Sequence, residues 1–394
     1  MTRGWAPALL APCLLLAGCA HRPGDALLAH GIRADCSTSA ASIAFDFDGA
    51  SRSRCVIEGE RRFTVLVSPE HAPPINPSPW YAFRYEARGT EGIEVTLAYL
   101  EGRHRYPPKL EGQGSFAPLP VSVAEDGKSA IMTLPAGAGR VSGQEIFDGS
   151  RYEALFDRLA VRNGMRRFTL GTSHDGHPVD AIAMGDPGAP ELVVLLGRAH
   201  PPEVSGAVAM EAFLLELAGL VGQGGLDPSR FQVIAVPLLN PDGVRRGHWR
   251  ANLGGRDLNR DWGEFTQPET RAVKAWLDSV ANRTRPVAMV DFHSTRDNLF
   301  YVQGEAETDA REEAFLDAWL VGTAGRLQGY PFTVERRNAN PGSGTSKNWF
   351  HETYDIPAYT YEVGDETDRA ATADAARHFA RRFVVAVAAL PPPR

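Results

Sequence analysis

The sequence has little cysteine, no concentrated positive charge and few long apolar runs, and each shortage narrows what the protein can be. Only 4 of its 394 residues are cysteine, and none has metal-ligand spacing. Lysine and arginine (41) are outnumbered by aspartate and glutamate (48), so the net charge is -7 and no nucleic-acid partner is expected. Hydrophobic residues make up 43%, which excludes disorder by composition. After residue 17, no segment looks long and apolar enough to span a bilayer.

The first residues have the pattern of an export signal with a lipid anchor. An apolar run over residues 8–17 has signal-peptide length and leads into Leu-Ala-Gly-Cys at residues 16–19. This ending resembles a bacterial lipobox, so residues 1–18 are predicted to be removed and Cys19 to be acylated and inserted in a lipid bilayer. An ordinary signal peptide with an incidental cysteine is the alternative. The neutral Ala20 favours the outer membrane of the cell envelope, facing the periplasm.

Two cysteines remain in the chain once the signal and the acylated residue are accounted for. An exported protein meets an oxidising compartment, so a disulfide between Cys36 and Cys55 is predicted. Two free buried thiols are the alternative, and the sequence alone does not choose between them.

The first half of the mature chain has the texture of a tether followed by β-strands. Residues 19–40 are small and polar and are predicted to be the tether. Over residues 41–147, apolar side chains such as Tyr81 and Phe83 alternate with polar or smaller ones, and glycine and proline clusters separate the runs. Several short strands at this spacing predict a small antiparallel β-sandwich domain.

Residues 148–394 change to apolar strands that alternate with helices. Strands are predicted at residues 192–196, 231–236, 286–292 and 358–363, and helices at 206–221, 269–280 and 372–390. Unbroken apolar strands with helices between them predict an α/β domain whose mostly parallel sheet is covered on both faces. Ligands in such folds bind beyond the carboxyl ends of the strands.

Potential metal ligands follow two of these strands. His200 and Glu203 come after the first strand, and His293 comes directly after the third. Zinc binds imidazole nitrogen and carboxylate oxygen, and a catalytic site needs three protein ligands and an open position. With 11 histidines in the chain, a His-x-x-Glu pair arises by chance on the order of once, so that pair alone predicts nothing. Asp291 is placed to orient an imidazole.

Charged residues at two further strand ends complete the set. Arg250 and the pair Asn259-Arg260 follow the second strand, and an arginine beside an asparagine can bind a carboxylate through several hydrogen bonds. Taken singly, this run could equally be a solvated surface. Glu362 lies at the end of the last strand, where a carboxylate is costly unless it is paired or functional. It could accept a proton from water, with a structural ion pair as the alternative.

In this order, these residues resemble the M14 family of zinc carboxypeptidases over about residues 149–390. The resemblance implies an eight-stranded mixed α/β sheet and one Zn²⁺ per chain. The zinc ligands that it implies are His200, Glu203 and His293. It further implies a general base at Glu362, an oxyanion-stabilising Arg250, and a receptor for the substrate's free C-terminal carboxylate at Asn259 and Arg260.

Other positions bear on specificity and on the branch of the family. Lys347 matches the base of the pocket for the C-terminal side chain, which implies an acidic residue by charge complementarity, unless the lysine points to solvent. Residues 79–84 are similar to the β-sandwich of the cytosolic-carboxypeptidase-like branch, whose members remove glutamates from protein tails. The sequence departs from the family at Asn340, where pancreatic-type members have a tyrosine, and at Pro202, where an arginine is common. Arg198 is near that second position.

The predicted function is hydrolysis of C-terminal amino acids from peptides, with glutamate and aspartate as the favoured residues. One alternative within the same chemistry is a peptidoglycan stem-peptide carboxypeptidase or amidase, and another is a deacylase of small N-acyl amino acids. A catalytically dead peptide-binding lipoprotein is an alternative of a different class. Loss of a metal ligand would mark it, and all the predicted ligands are present in the sequence.

Overall fold

The computed structural model describes Met1 and residues 34–391, except residues 52, 73–77, 113, 114, 163 and 324. Cys19 and residues 2–18 of the predicted signal peptide therefore lie outside the described residues. The described part contains three β-sheets. Two of them precede residue 143, and the third begins at residue 165.

The first eleven strands form two sheets, which we call the N-terminal sheets. Their strands are β1 (Cys36–Ser37), β2 (Ala41–Ala44), β3 (Arg54–Gly59), β4 (Arg62–Val67), β5 (Ala82–Ala87), β6 (Ile93–Tyr99), β7 (Lys109–Gly112), β8 (Ser115–Pro118), β9 (Ser122–Val123), β10 (Ser129–Leu134) and β11 (Gly137–Ser142). One sheet has the order β1-β2-β5-β11-β7-β8 and the other β3-β4-β6-β10-β9. The pairs are antiparallel as predicted, except that β4 and β6 are parallel.

A disulfide joins the two N-terminal sheets. Cys36 of β1 is bonded to Cys55 of β3, with 6.1 Å between their Cα atoms, so the predicted pairing is confirmed. Strand β1 lies inside the segment predicted as a tether, because Cys36 is paired in register with Ile43 of β2 and is buried. Buried residues of both sheets belong to one hydrophobic cluster.

The remaining strands form one eight-stranded sheet with helices packed against it. Its strands are β12 (Met165–Thr172), β13 (Pro178–Gly185), β14 (Glu191–Gly197), β15 (Phe231–Val236), β16 (Arg285–Thr295), β17 (Leu299–Val302), β18 (Thr333–Arg336) and β19 (Ala358–Gly364). The helices are α1 (Gly149–Ala160), α2 (Val204–Gly222), α3 (Pro241–Arg246), α4 (Pro268–Val280), α5 (Ala310–Trp319), α6 (Ser346–Tyr354) and α7 (Arg369–Ala388). The strand order is β12-β13-β15-β14-β16-β19-β17-β18.

The sheet is mixed and mostly parallel, as predicted. Its centre, β15-β14-β16-β19, is parallel throughout, and antiparallel pairs attach the outer strands β13 and β17. The predicted strands are these four central ones. Strand β16 runs three residues beyond the predicted end at Phe292, because its pairing with β19 continues to Thr295. His293 therefore lies within a strand and not after one.

Helix α2 corrects one expectation from the sequence. By length and composition it could cross a membrane, with a mean hydropathy of 1.7 over the tested window. However, 67% of that window is buried inside the protein. Its two glutamates form ion pairs, Glu211 with Arg151 and Glu216 with Arg381. These features are those of a core helix in a folded domain.

Candidate functional site

Three predicted metal ligands meet at the carboxyl ends of β14 and β16. His200 and Glu203 lie in the loop that joins β14 to α2, and His293 lies on β16, which is parallel to β14. His200 Nδ1 is 2.8 Å from Glu203 Oε1, and His293 Nδ1 is 2.7 Å from Glu203 Oε2. The two Nδ1 atoms are 3.2 Å apart. Ligand atoms about 2.1 Å from a tetrahedral zinc ion lie roughly 3.4 Å from one another, so this spacing fits zinc.

Carboxylates behind the two imidazoles fix the direction of their ring nitrogens. His200 Nε2 is 2.8 Å from Asp257 Oδ1, and His293 Nε2 is 3.0 Å from Asp291 Oδ2. A ring that donates its Nε2–H to a carboxylate leaves its Nδ1 lone pair for a metal. Asp291 thus has the contact predicted for it. Asp257 was not predicted, because the sequence gives no sign that it reaches a histidine 57 residues away.

The electrostatics of this cluster favour a bound cation. Burial lowers the pKa of His293, but Asp291 and Glu203 outweigh this effect and raise it well above the usual range. Burial would raise the pKa of Glu203, yet the two histidines hold it well below its usual range. The buried carboxylates therefore attract positive charge to this point, which a divalent ion would supply. His200, Glu203 and His293 would hold that ion.

A strained arginine shapes the loop that carries His200. Arg198 has a positive φ of 55° and is buried. Its guanidinium donates to the carbonyl oxygens of Pro201 and Phe147 and to the hydroxyl of Tyr152. It consequently supports the loop from behind. It does not line the cleft and does not replace the arginine that is missing at Pro202.

Arg250 is held between the N-terminal sheets and the three candidate metal ligands His200, Glu203 and His293, which we call the metal cluster. Its Nε donates to Asp257 Oδ2 at 2.6 Å, so one carboxylate connects Arg250 to His200. The backbone around Arg250 is fixed by Glu70, which lies between β4 and β5. Its carboxylate accepts N–H bonds from three consecutive residues, Trp249, Arg250 and Ala251, at 2.7, 3.0 and 2.6 Å. Sequence reasoning missed Glu70, which lies 180 residues before Arg250.

Asn259 lies between His293 and the start of α6. Its Oδ1 accepts a bond from the backbone N–H of Ser346 at 2.8 Å, and its Nδ2 is 3.3 Å from His293 Nε2. Because that Nε2 donates to Asp291, it does not accept from Asn259, and among the described residues the Asn259 amide N–H groups have no other acceptor. They can therefore donate to a substrate oxygen. Arg260 donates to the carbonyl oxygen of Asn259 and lines the same cleft. The structure therefore brings the predicted carboxylate-binding pair to the metal cluster.

Glu362 lies on β19 directly opposite His293 in the strand register. Its side chain lines the cleft, and within the described part of the chain its Oε2 has no hydrogen-bond partner. Burial raises the pKa of Glu362 to about 7, although the nearby His293 lowers it. A carboxylate with a pKa near neutrality can both accept and return a proton.

Lys347 lies in the first turn of α6 and is only 3% exposed. Its Nζ donates to Asn348 Oδ1 at 3.2 Å, and no carboxylate among the described residues forms an ion pair with it. Burial lowers the pKa of Lys347 to about 8. Because the side chain lines the cleft, the alternative that it points to solvent is wrong.

These residues line one cleft of about 360 Å³. It contains two carboxylates, Glu203 and Glu362, and more cations than carboxylates: Arg105, Arg250, Arg260, Arg337 and Lys347. Asn340 lines the cleft where the family tyrosine was expected, and Tyr301 of β17 contributes a phenol from another direction. Ser78 and Arg105 reach the cleft from the N-terminal sheets, which sequence reasoning had given no chemistry.

Comparison with known proteins identifies the C-terminal part of the chain. A profile of M14 peptidases, described as zinc carboxypeptidase, matches residues 152–386. An uncharacterized protein of Zymomonas mobilis is 34% identical over 245 residues, covering 59% of this chain and 63% of that protein. Cytosolic carboxypeptidase 6 of Caenorhabditis elegans is 28% identical over 196 residues, covering 47% and 42%. The matched parts thus span less than two thirds of these relatives.

Solved structures extend the likeness of fold to the N-terminal sheets. A metallo-carboxypeptidase from Burkholderia cenocepacia has a TM-score of 0.72 at 19% identity, covering 88% of this chain and 99% of its own. A metallo-carboxypeptidase from Pseudomonas aeruginosa, solved with (2-guanidinoethylmercapto)succinic acid, has a TM-score of 0.68 at 19% identity, covering 89% and 100%. Coverage this large includes most of the N-terminal sheets. Since the profile match spans more than half of the chain, this protein belongs to the M14 family of zinc carboxypeptidases.

Proposed function

We propose that this protein is a zinc metallocarboxypeptidase that removes glutamate or aspartate from the C-terminus of peptides. The proposed zinc ligands are His200, Glu203 and His293. When bound, zinc supplies the Lewis acidity that activates water and polarises a carbonyl. Of the five cations that line the cleft, Arg105, Arg250 and Arg337 are paired with carboxylates, and Arg260 and Lys347 have no ion pair among the described residues. These two positive charges, in a chain whose net charge is -7, favour an acidic substrate in this cleft.

Each remaining residue has a step that fits its position. Glu362 accepts the proton of the attacking water on its unpartnered Oε2 and returns it to the leaving amine. Arg250 donates to the carbonyl oxygen as it gains negative charge, a contribution worth about 3–4 kcal/mol in comparable sites. Asn259 and Arg260 donate to the C-terminal carboxylate and thereby place the last peptide bond beside Glu362.

The observation that carries the acidic preference is the buried, unpaired charge of Lys347. Burial of an ammonium group without an anion is unfavourable, and its pKa of about 8 reflects that cost. A substrate carboxylate would supply the missing anion. Arg250 and Arg260 belong to the proposed machinery, while Arg105 is paired with Asp365 and Arg337 with Glu335. Lys347 is therefore the cation of the cleft that is left to bind the substrate side chain.

The test compares blocked dipeptides that end in glutamate and in its neutral isostere glutamine. In wild-type protein we expect kcat/KM to favour glutamate by about tenfold to hundredfold, as for hydrogen bonds to charged groups. Lys347→Met should lose this preference, whereas Lys274→Met, a surface control paired with Asp278, should keep it. Equal rates for the two peptides in wild-type protein would refute the acidic preference.

The pH dependence of the preference for glutamate provides a second test of Lys347. Lys347 is charged below its pKa and neutral above it. The preference for glutamate in kcat/KM, which reports the free enzyme, should therefore decline as the pH rises through about 8. A preference that stays constant to pH 10 would assign the specificity to an arginine of the cleft.

We also propose that the chain is acylated at Cys19 and anchored to the outer membrane, facing the periplasm. The residues that precede and follow Cys19 support this proposal. Detergent phase partitioning of the full-length protein and of Cys19→Ser would test it. The wild type should enter the detergent phase and the variant should not, and equal partitioning of both would refute the anchor.

A further inference from the structure

One wall of the cleft comes from outside the part of the chain that the family profile matches. Arg105 lies in the loop between β6 and β7, and its side chain is 18% exposed. Its Nε and Nη2 are both 2.9 Å from Asp365 Oδ2, and its Nη1 donates to Ser78 Oγ at 2.8 Å. These contacts fix the guanidinium at the edge of the cleft.

The strand register shows on which side of the metal cluster Arg105 lies. Along β16, Asp291 is bonded to Ser346, next to Lys347 and Asn259. Two residues further along β16, His293 faces the same side of the sheet and is paired with Glu362 of β19. Two residues beyond His293, the carbonyl oxygen of Thr295 accepts a bond from the backbone N–H of Asp365. At about 3.3 Å per residue, Asp291 and Thr295 are roughly 13 Å apart along β16. Arg105 and the carboxylate-binding pair are thus on opposite sides of the metal cluster.

This geometry determines which part of a peptide reaches Arg105. With the C-terminal carboxylate at Asn259 and the last peptide bond at Glu362, the chain continues upstream toward Asp365. An extended peptide advances about 3.3–3.6 Å per residue, so the residue before the cleaved bond, together with the carbonyl group bonded to its nitrogen, comes next to Arg105.

The charge of Arg105 determines what it can bind. Its pairing with Asp365 balances one positive with one negative charge. A guanidinium has five N–H groups, and three contacts engage Asp365 and Ser78, so within the described part of the chain two N–H groups remain for a ligand. A balanced ion pair with free donors suits a neutral acceptor, and a peptide carbonyl is the neutral acceptor that every upstream residue carries.

We propose that Arg105, supplied by the N-terminal sheets, is a substrate-binding residue that donates to the carbonyl of the peptide bond immediately before the cleaved one. This inference rests on the proposed carboxypeptidase function.

The test measures kcat and KM on substrates of increasing length. N-acetylglutamate has only the cleaved amide, whereas N-acetyl-Ala-Glu adds the upstream carbonyl. In wild-type protein this addition should raise kcat/KM by about tenfold, the effect of a hydrogen bond from a charged donor. Arg105→Ala should lose that gain, mainly through KM, with less than about a twofold change on N-acetylglutamate.

Two further variants separate binding from folding. Arg105→Lys keeps the charge opposite Asp365 but loses the fork of donors, so it should fold normally and still lose the gain. Arg103→Ala, in the same loop and exposed, should behave as wild type. The same peptides would also be titrated by calorimetry into Glu362→Gln protein with and without Arg105→Ala, which reports affinity without turnover.

Each outcome bears on the inference. An equal loss on N-acetylglutamate and N-acetyl-Ala-Glu would give Arg105 a purely structural role, and an undiminished gain in both Arg105 variants would likewise overturn the proposal while leaving the carboxypeptidase function intact. Failure of the wild type both to cleave and to bind any of these peptides would overturn the two together.

Discussion

Strand β6 of the N-terminal sheets and strand β14 of the eight-stranded sheet are both seven residues long, and they are buried differently. In β6, fully buried residues such as Ile93, Val95 and Leu97 alternate with more exposed ones, whereas β14 is buried along its whole length. A sheet with one solvated face alternates, while a parallel sheet covered by helices does not.

The difference teaches where chemistry can be placed. In the eight-stranded sheet, the ends of buried strands lie under cover, and a polar group there keeps its full electrostatic effect because little water screens it. Among the described residues, the strands of the N-terminal sheets carry no comparable cluster. They contribute instead through the loops that bear Glu70, Ser78 and Arg105. In the proposed mechanism the eight-stranded sheet supplies the reacting groups, and the N-terminal sheets hold Arg250 in place and line part of the cleft.

The largest expected effect is that of a substitution at Glu362, in the region proposed to supply the reacting groups. Glu362→Gln keeps the shape of the side chain but removes the general base, so kcat should fall about a hundredfold to ten-thousandfold. The zinc content, measured by metal analysis, should stay at one ion per chain, because Glu362 is not among the proposed ligands.

The control for this variant is Glu153→Gln, on the surface of the same region and paired with Arg167. It should leave kcat unchanged. Turnover in Glu362→Gln at the wild-type rate would remove Glu362 from the mechanism.

A large effect on stability is expected in the N-terminal sheets, without any effect on the metal. Replacing Cys36 and Cys55 by serine opens a loop of 19 residues, and the free energy of unfolding should fall by about 3 kcal/mol. Denaturant titration measures that change. If the two regions divide their roles as described, zinc content and kcat/KM of the folded variant should not change, and loss of zinc in parallel with stability would contradict the division.

Glu70 tests the division of roles between the two regions most directly, because it belongs to the N-terminal sheets but positions a residue of the proposed catalytic machinery. Glu70→Ala leaves three backbone N–H groups around Arg250 without their acceptor. The arginine then loses its fixed position, and kcat should fall about tenfold to hundredfold while KM and zinc content change little.

The matched control is Glu91→Ala, a glutamate of the same region that is paired with Arg61 and 77% exposed. It should match the wild type. A Glu70→Ala enzyme with normal kcat would show that Asp257 alone positions Arg250.

The smallest expected effect concerns packing inside the eight-stranded region. A Cβ on Gly206 of α2 would lie 2.4 Å from the carbonyl oxygen of His293, so the helix approaches the strand too closely for any side chain. Gly206→Ala should therefore lower the free energy of unfolding by about 1–3 kcal/mol and weaken zinc binding by displacing His293.

Gly219 provides the control on the same helix. Its Cβ would meet the ends of two side chains, Arg162 at 3.4 Å and Gln223 at 4.0 Å. Gly219→Ala should be neutral or stabilising by up to about 1 kcal/mol, since alanine favours helices. Thermal unfolding with and without zinc distinguishes the two variants, and equal behaviour would show that α2 is free to shift.

The central strands of the eight-stranded sheet could be predicted from the sequence, and the outer strands could not. Strands β14, β15, β16 and β19 are apolar runs because helices cover both of their faces. Strand β17 is apolar but only four residues long, and β18 is equally short, mostly polar and only partly buried. Neither carries an apolar run as long as those of the central strands. The end of β16 was predicted too early because its last residues are polar and end the apolar run, whereas pairing with β19 keeps them in the strand.

The sequence by itself determined the chemical types at the site. His200, Glu203, His293, Glu362 and Arg250 follow or end apolar strands, and the carboxyl ends of parallel strands meet at one edge of a sheet. Their order along the chain was enough for the family resemblance. The disulfide could also be predicted, because only two cysteines remained to pair.

Only the tertiary structure decided which groups support and complete that site. Asp257 reaches His200 across 57 residues, Glu70 reaches Arg250 across 180, and Arg105 reaches Asp365 across 260. None of these residues belongs to an apolar run or a periodic pattern, so nothing local predicts where its side chain will lie. Contacts of this kind depend on how the N-terminal sheets and the eight-stranded sheet pack together, and that packing is a property of the whole folded chain.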